Sequence, residues 1–190
     1  MQLVSKAKKI FLIFLLATTL SSFVVYCAYI VSHWFTSVDR DDIQSIEHHA
    51  FQYLSTFSAF NETKIMVLTM EKRGDYLAIL CHGESDSYYL CVFKRDNFFS
   101  SRYHAIAGTS SVSGEIGDIH LGEGTDKVLV FGGADFPKEV AWYTFQNNGI
   151  TYVCPINNRL VLNLFVFLDT RDIHGSPCLL NKAKEPIVAK

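Results

Sequence analysis

The sequence predicts an α+β chain: an N-terminal transmembrane helix, then an amphipathic helix, then a mainly antiparallel β-sheet domain. Three observations carry this. Residues 10–35 contain no charged side chain. Residues 39–57 repeat apolar side chains at helical spacing. From residue 65 onward, short runs rich in β-branched and aromatic residues alternate with Gly, Asn, Asp and Ser turns.

The first run reads from Ile10 to Phe35. A helix rising 1.5 Å per residue needs about 20 apolar residues to cross a hydrocarbon core of ~30 Å. Such a helix pairs its own backbone groups, as lipid requires. Thr18, Thr19, Ser21 and Ser22 fall mid-span, where their hydroxyls can bond back to the preceding turn. His33 and Trp34 mark the far end, where amphipathic rings favour the interface. Lys6, Lys8 and Lys9 precede the run and Asp39, Asp41 and Asp42 follow it, so the N-terminus is expected inside and the domain outside. Cleavage of the run as a signal peptide is the competing reading. Its best cut, after Ala28, would put bulky Tyr26 where a small residue is wanted, and the run exceeds the usual apolar length of about 7–15 residues. The expected organisation is a cytoplasmic N-terminus over 1–9, a transmembrane signal-anchor over 10–35 and an extracytoplasmic β-rich domain over 36–190. The helix of that domain is expected at about 39–57 and its strands at about 65–180.

In the expected helix Ile43, Ile46, Ala50, Tyr53 and Phe57 form one stripe, with Asp39 as the expected N-cap. Strands are expected at Ile65–Met70, Tyr76–Cys81, Tyr88–Lys94, Val128–Phe131 (ended by Gly132-Gly133), Val140–Phe145, Ile150–Val153, Leu160–Leu168 and Cys178–Leu180. Asn148-Gly149 is the sharpest hairpin signal, because a type I′ turn needs positive φ at both central residues. Residues 96–126, rich in Gly and Ser, read as loops around short strands, and the tail after Asn181 as frayed. Short connections between consecutive strands imply an antiparallel meander.

Charge narrows the partners. Beyond the apolar run lie 14 basic against 19 acidic residues, a formal balance of −5. Without clustered Lys and Arg, nucleic acid is not an expected partner. The expected partners are the lipid bilayer through residues 10–35 and a protein at the membrane or cell surface. No cofactor is implied.

Cys81 and Cys91 flank one expected hairpin and would face each other if its loop were centred near Asp86; Cys154 with Cys178 would then be a second pair. The alternative is that all four are small buried hydrophobes. His48 and His49 point about 100° apart on a helix and cannot chelate as an i, i+4 pair would. Asp118 with His120, and Asp172 with His174, each set two ligand types on one face of an extended segment, and these four are the metal candidates. Gly122-Glu123-Gly124 lacks the third glycine of a phosphate loop, and no G-x-S-x-G elbow occurs. Arg73-Gly74-Asp75, at an expected hairpin tip, is explained by ordinary turn chemistry. The leading expectation is a non-catalytic extracytoplasmic binding or interaction domain. The rival is a membrane-tethered envelope enzyme using carboxylate and His groups.

The segments 74–79 (GDYLAI), 90–95 (LCVFKR) and 165–169 (FVFLD) resemble those of small, uncharacterised, single-pass membrane-anchored proteins of Gram-positive bacteria. That resemblance implies a bacterial cell surface, where disulfides are less usual, and no particular activity. The layout is also similar to that of type IV pilins, but the run opening at Lys9-Ile10-Phe11 lacks their Gly and Glu, so membership is rejected.

Overall fold

The computed structural model describes residues 2–97, 99–123, 126–168 and 176–187. Its first element, α1 (Gln2–Thr36), is continuous through the apolar run. The segment Phe11–Thr36 has 26 residues and a mean hydropathy of 2.1, and its most apolar stretch has no buried residue. It is long and apolar enough to cross a membrane. Thr18, Thr19, Ser21 and Ser22 each donate to a carbonyl four residues back, at 2.9–3.1 Å. Their hydroxyls are therefore satisfied inside the helix, as an apolar surrounding demands.

A two-residue strand, β1 (Val38–Asp39), leads to α2 (Ile43–Leu54). The cap is Asp42, not Asp39: its Oδ1 accepts from Ser45 N at 3.1 Å. Asp39 is taken up by pairing with Arg102 and by accepting from Asp41 N at 3.1 Å. The buried stripe is Ile46, Ala50 and Leu54, whereas Ile43 and Phe57 stay exposed. Ending the helix at Leu54 puts Phe57 outside it, which is why the expected stripe shifted.

Eleven strands, all paired antiparallel, make three sheets among the described residues. β2 (Ile65–Arg73), β3 (Tyr76–Gly83), β4 (Ser87–Arg95) and β5 (Arg102–Val112) form a meander that β1 extends, giving the order β1-β5-β4-β3-β2. β6 (Gly117–Glu123) and β7 (Asp126–Ala134) form a hairpin that β10 (Leu160–Leu168) joins. β8 (Val140–Asn147) and β9 (Ile150–Pro155) form another, joined by β11 (Cys178–Asn181). Asn148 (φ 51°) and Gly149 (φ 72°) make the expected turn between β8 and β9.

The sheets stack in layers. α2 covers one face of the first sheet, on Leu77, Ile79, Cys81, Cys91 and Phe93. The other face, through Ala78, Leu90 and Val92, packs on Ile119, Val128, Val130 and Leu164 of the second sheet. The second sheet's far side meets the third through aromatic rings: Phe131 to Phe145 at 4.6 Å and Phe165 to Phe145 at 5.0 Å between centroids. Period-2 alternation thus gives β3, β4, β7 and β10 two buried faces each, which is why they read as near-continuous apolar runs.

Three expectations change. β5, at 11 residues, and β6 occupy the stretch read as loops. Gly132 and Gly133 lie inside β7 rather than ending it. A Cβ on Gly133 would overlap the backbone oxygen of Glu115, so close approach requires that glycine, while one on Gly132 would press on the end of the Leu90 side chain at 2.7 Å. The tail is pinned as far as Ile187, whose N–H donates to Leu179 O at 2.9 Å, with Pro186 bridged to Leu180.

Candidate functional site

Where α1 ends, β5 and the end of β4 grip it. Arg102, the first residue of β5, donates from Nε to Ser37 Oγ at 2.6 Å and from Nη2 to Trp34 O at 2.9 Å, and also bonds Ser37 O. Its guanidinium lies 4.1 Å from the Trp34 ring centroid. The last carbonyls of a helix lack internal partners and sit at the negative end of its dipole, so a planar cationic fork is the side chain suited to them. The β1–β5 pairing, Val38 with Tyr103 and Asp39 with Arg102, continues the join.

Beside this clamp three titratable groups converge. The Asp96 side chain, just past β4, has no exposed surface. Its Oδ1 accepts from Phe99 N at 2.9 Å, which aims Oδ2 inward. Oδ2 lies 2.9 Å from His33 Nδ1, on the last turn of α1, and in hydrogen-bond contact with His104 Nε2 of β5. The other nitrogen of His104 is 3.1 Å from Thr36 O. The two imidazoles meet edge to face at 5.1 Å. Among the described residues, this is the group whose three ligand-type atoms all lie within 4.8 Å of one another.

The expected candidates are placed differently. Asp118 and His120 do share a face of β6, with Oδ2 and Nε2 2.8 Å apart, but both are more than a third exposed. Asp172 and His174 lie outside the described residues. His48 and His49 point apart as expected, toward Gln52 and Ser45 respectively.

All five cysteines are free. The hairpin pairs Cys81 with Tyr89 and Ile79 with Cys91, so the two thiols are diagonal neighbours under α2 instead of facing partners. Diagonal Cα atoms stand about 7–8 Å apart, at the limit of disulfide reach. Burial pushes the Cys81 thiol up to about 12 and Cys91 well above its ordinary value. Cys154 and Cys178 sit on opposite sides of β8, which separates them by two strand spacings of about 4.8 Å each. The Arg73-Gly74-Asp75 tip is engaged within the fold. Arg73 donates to Leu164 O at 3.2 Å, and Asp75 pairs with Arg95 at 2.6 Å.

A second feature lies further along β5. Leu54, Phe57, Phe60, Tyr89, Gly108 and Ser110 line a cleft of about 200 Å³ at the C-terminal end of α2. Gly108 keeps it open, since a Cβ there would reach Leu54 Cδ2 at 2.8 Å.

Nothing in the sequence spacing signalled the Asp96 cluster. Its members are 63 and 8 residues apart, and only folding brings the last turn of α1 against β5. The sequence marks His33 only as an interfacial ring at the end of the apolar run. The chain matches no known protein family, no curated protein and no solved structure.

Proposed function

We propose that this chain is a single-pass membrane protein with its N-terminus in the cytoplasm, whose outer domain binds a protein partner close to the membrane. Lys6, Lys8 and Lys9 before the span support this orientation. The observation that carries the reading is the join at Arg102, because it holds the domain against the end of the span in place of a flexible tether. A clamped domain presents a fixed face to whatever lies beside it. If hydrocarbon begins at Phe11, about 20 residues cross it and the clamp at Trp34–Ser37 falls among the headgroups. The cleft by Gly108 lies six residues along β5 from Arg102, about 20 Å on, in water.

The size of the cleft favours a protein. Pockets for small molecules run from about 300 to 1,000 Å³. At about 200 Å³, this one suits one or two apolar side chains of a partner, with Phe57, 42% exposed, on its rim. The test is a photo-crosslinking residue at Phe57 in native membranes. A discrete, protease-sensitive adduct is expected, absent from the same probe at Ile150 and lost when Gly108→Val fills the cleft. An adduct that survives Gly108→Val, or none above the Ile150 background, would sink the reading.

A further inference from the structure

We infer that His33, Asp96 and His104 form a binding site for one divalent transition-metal ion of the zinc class, at the junction of anchor and domain. The argument begins with hydrogen positions. Thr36 O can only accept, so the proton on His104 that faces it, 3.1 Å away, is on Nδ1. A neutral His104 then turns the bare lone pair of Nε2 toward Asp96 Oδ2, an acceptor against an acceptor. A positive charge between them resolves the conflict: a second proton or a metal ion. The surroundings call for positive charge at this point, and the ligand set says which kind. A carboxylate with no exposed surface needs a close counter-charge. The C-terminal end of α1, on which His33 sits, adds the negative end of a helix dipole. Arg102, close by, is engaged with Trp34 O and Ser37.

Ligand chemistry selects the class. Two imidazoles and one carboxylate suit zinc and its neighbours, whereas calcium and magnesium want oxygen. Zinc bonds of about 2.0–2.1 Å hold tetrahedral ligand atoms ~3.4 Å apart. The three atoms lie within 4.8 Å of one another, and Asp96 Oδ2 touches both imidazoles, 2.9 Å from His33 Nδ1, so an ion entering between them spreads these contacts by side-chain rotation. The outer shell is built as metal sites require: His104 Nδ1–H to a carbonyl, and Asp96 Oδ1 held by Phe99 N–H. Three protein ligands leave a fourth position for water or a ligand from outside.

The test uses the full-length chain in nanodiscs, stripped with a chelator and titrated with Zn²⁺ alone against a chromophoric competitor. A parallel sample takes Co²⁺ and is read by visible absorption. One Zn²⁺ per chain is expected, together with a low-coordinate Co²⁺ spectrum. Loss of an outer-shell group alone typically weakens metal sites about 10–100-fold, so His33→Ala and His104→Ala should each weaken binding by at least about 100-fold. His120→Ala should change nothing. Asp96→Asn keeps the acceptor for Phe99 N–H and removes the charge, so it reports on the site even if a histidine variant fails to fold. Wild-type affinity within about threefold of Asp96→Asn, or a loss in His120→Ala equal to that in His104→Ala, would overturn the site and leave the cluster a protonated latch.

Discussion

Arg102→Lys is the sharpest perturbation of the join between span and domain. Arg102 makes separate hydrogen bonds to Ser37 Oγ and Trp34 O and lies 4.1 Å from the Trp34 ring centroid. Lysine keeps the charge but has no planar fork, so it can hold one of these partners and not all. Charged hydrogen bonds contribute about 1.5–3 kcal/mol each when buried, and an exposed cation–π contact about 0.5–1 kcal/mol. One arm of this fork is exposed, so we take the low end and expect a local loss of about 2 kcal/mol. At 1.4 kcal/mol per tenfold, that is ~30-fold faster opening. The two-residue pairing of β1 with β5 rests on the same arginine. Hydrogen exchange in nanodiscs should therefore show faster exchange over Ser37–Asp39 and Arg102–Tyr103, with Leu90 and Val130 unchanged. Unchanged exchange at Ser37–Asp39, or an equal acceleration through the whole domain, would refute a local clamp.

Two further predictions concern the domain itself. Gly133→Ala sets a Cβ against a backbone oxygen, Glu115 O, which cannot rotate away, whereas Gly132→Ala meets only the flexible end of Leu90. Gly133→Ala should cost about 3 kcal/mol or more and lower Tm by roughly 6–12 °C, well beyond Gly132→Ala; equal losses would contradict the packing argument. Desolvation raises the Glu62 carboxyl, but bonds from Ser85 Oγ, Tyr89 Oη at 3.0 Å, Glu84 N at 2.8 Å and Ser85 N at 3.3 Å outweigh it, so the group lies below its ordinary value of 4.5. A depressed carboxyl contributes stability above its unfolded value that is lost as pH falls through the folded one. Glu62→Gln should therefore be less stable at pH 7 by about 1–2 kcal/mol, with the gap closing by pH 3 in thermal melts; a gap of constant size would contradict this.

The legible parts of the fold were those where one local signal decides. Charge exclusion over 10–35 marked the long apolar helix, and Leu160–Leu168 was bounded to the residue. Asn148-Gly149 announced its turn by backbone chemistry alone. β5 was not legible because Gly108, Ser110 and Ser111 have no strong strand preference. Its place is set by pairing along β4 and by Leu54 of α2 pressing on Gly108. Gly132 and Gly133 misled for the same reason: a punctuating residue was needed for close approach, not for a turn. The division into three sheets depends on which strand pairs join across long separations, such as β7 with β10, and no local pattern encodes that. The Asp96 cluster is the extreme case, since residues 33, 96 and 104 share no element and no spacing.

The central claim is an anchored domain on the outer side of the membrane, and Cys178 tests it most directly. Residue 178 is exposed, while Cys81 and Cys91 are buried and Cys154 half-buried, all three with raised values, and Cys27 lies in the apolar helix. A membrane-impermeant maleimide added to intact cells should label the protein in the membrane fraction, and Cys178→Ala should remove most of the label. Labelling that appears only after the membrane is opened would place the domain inside and contradict the account.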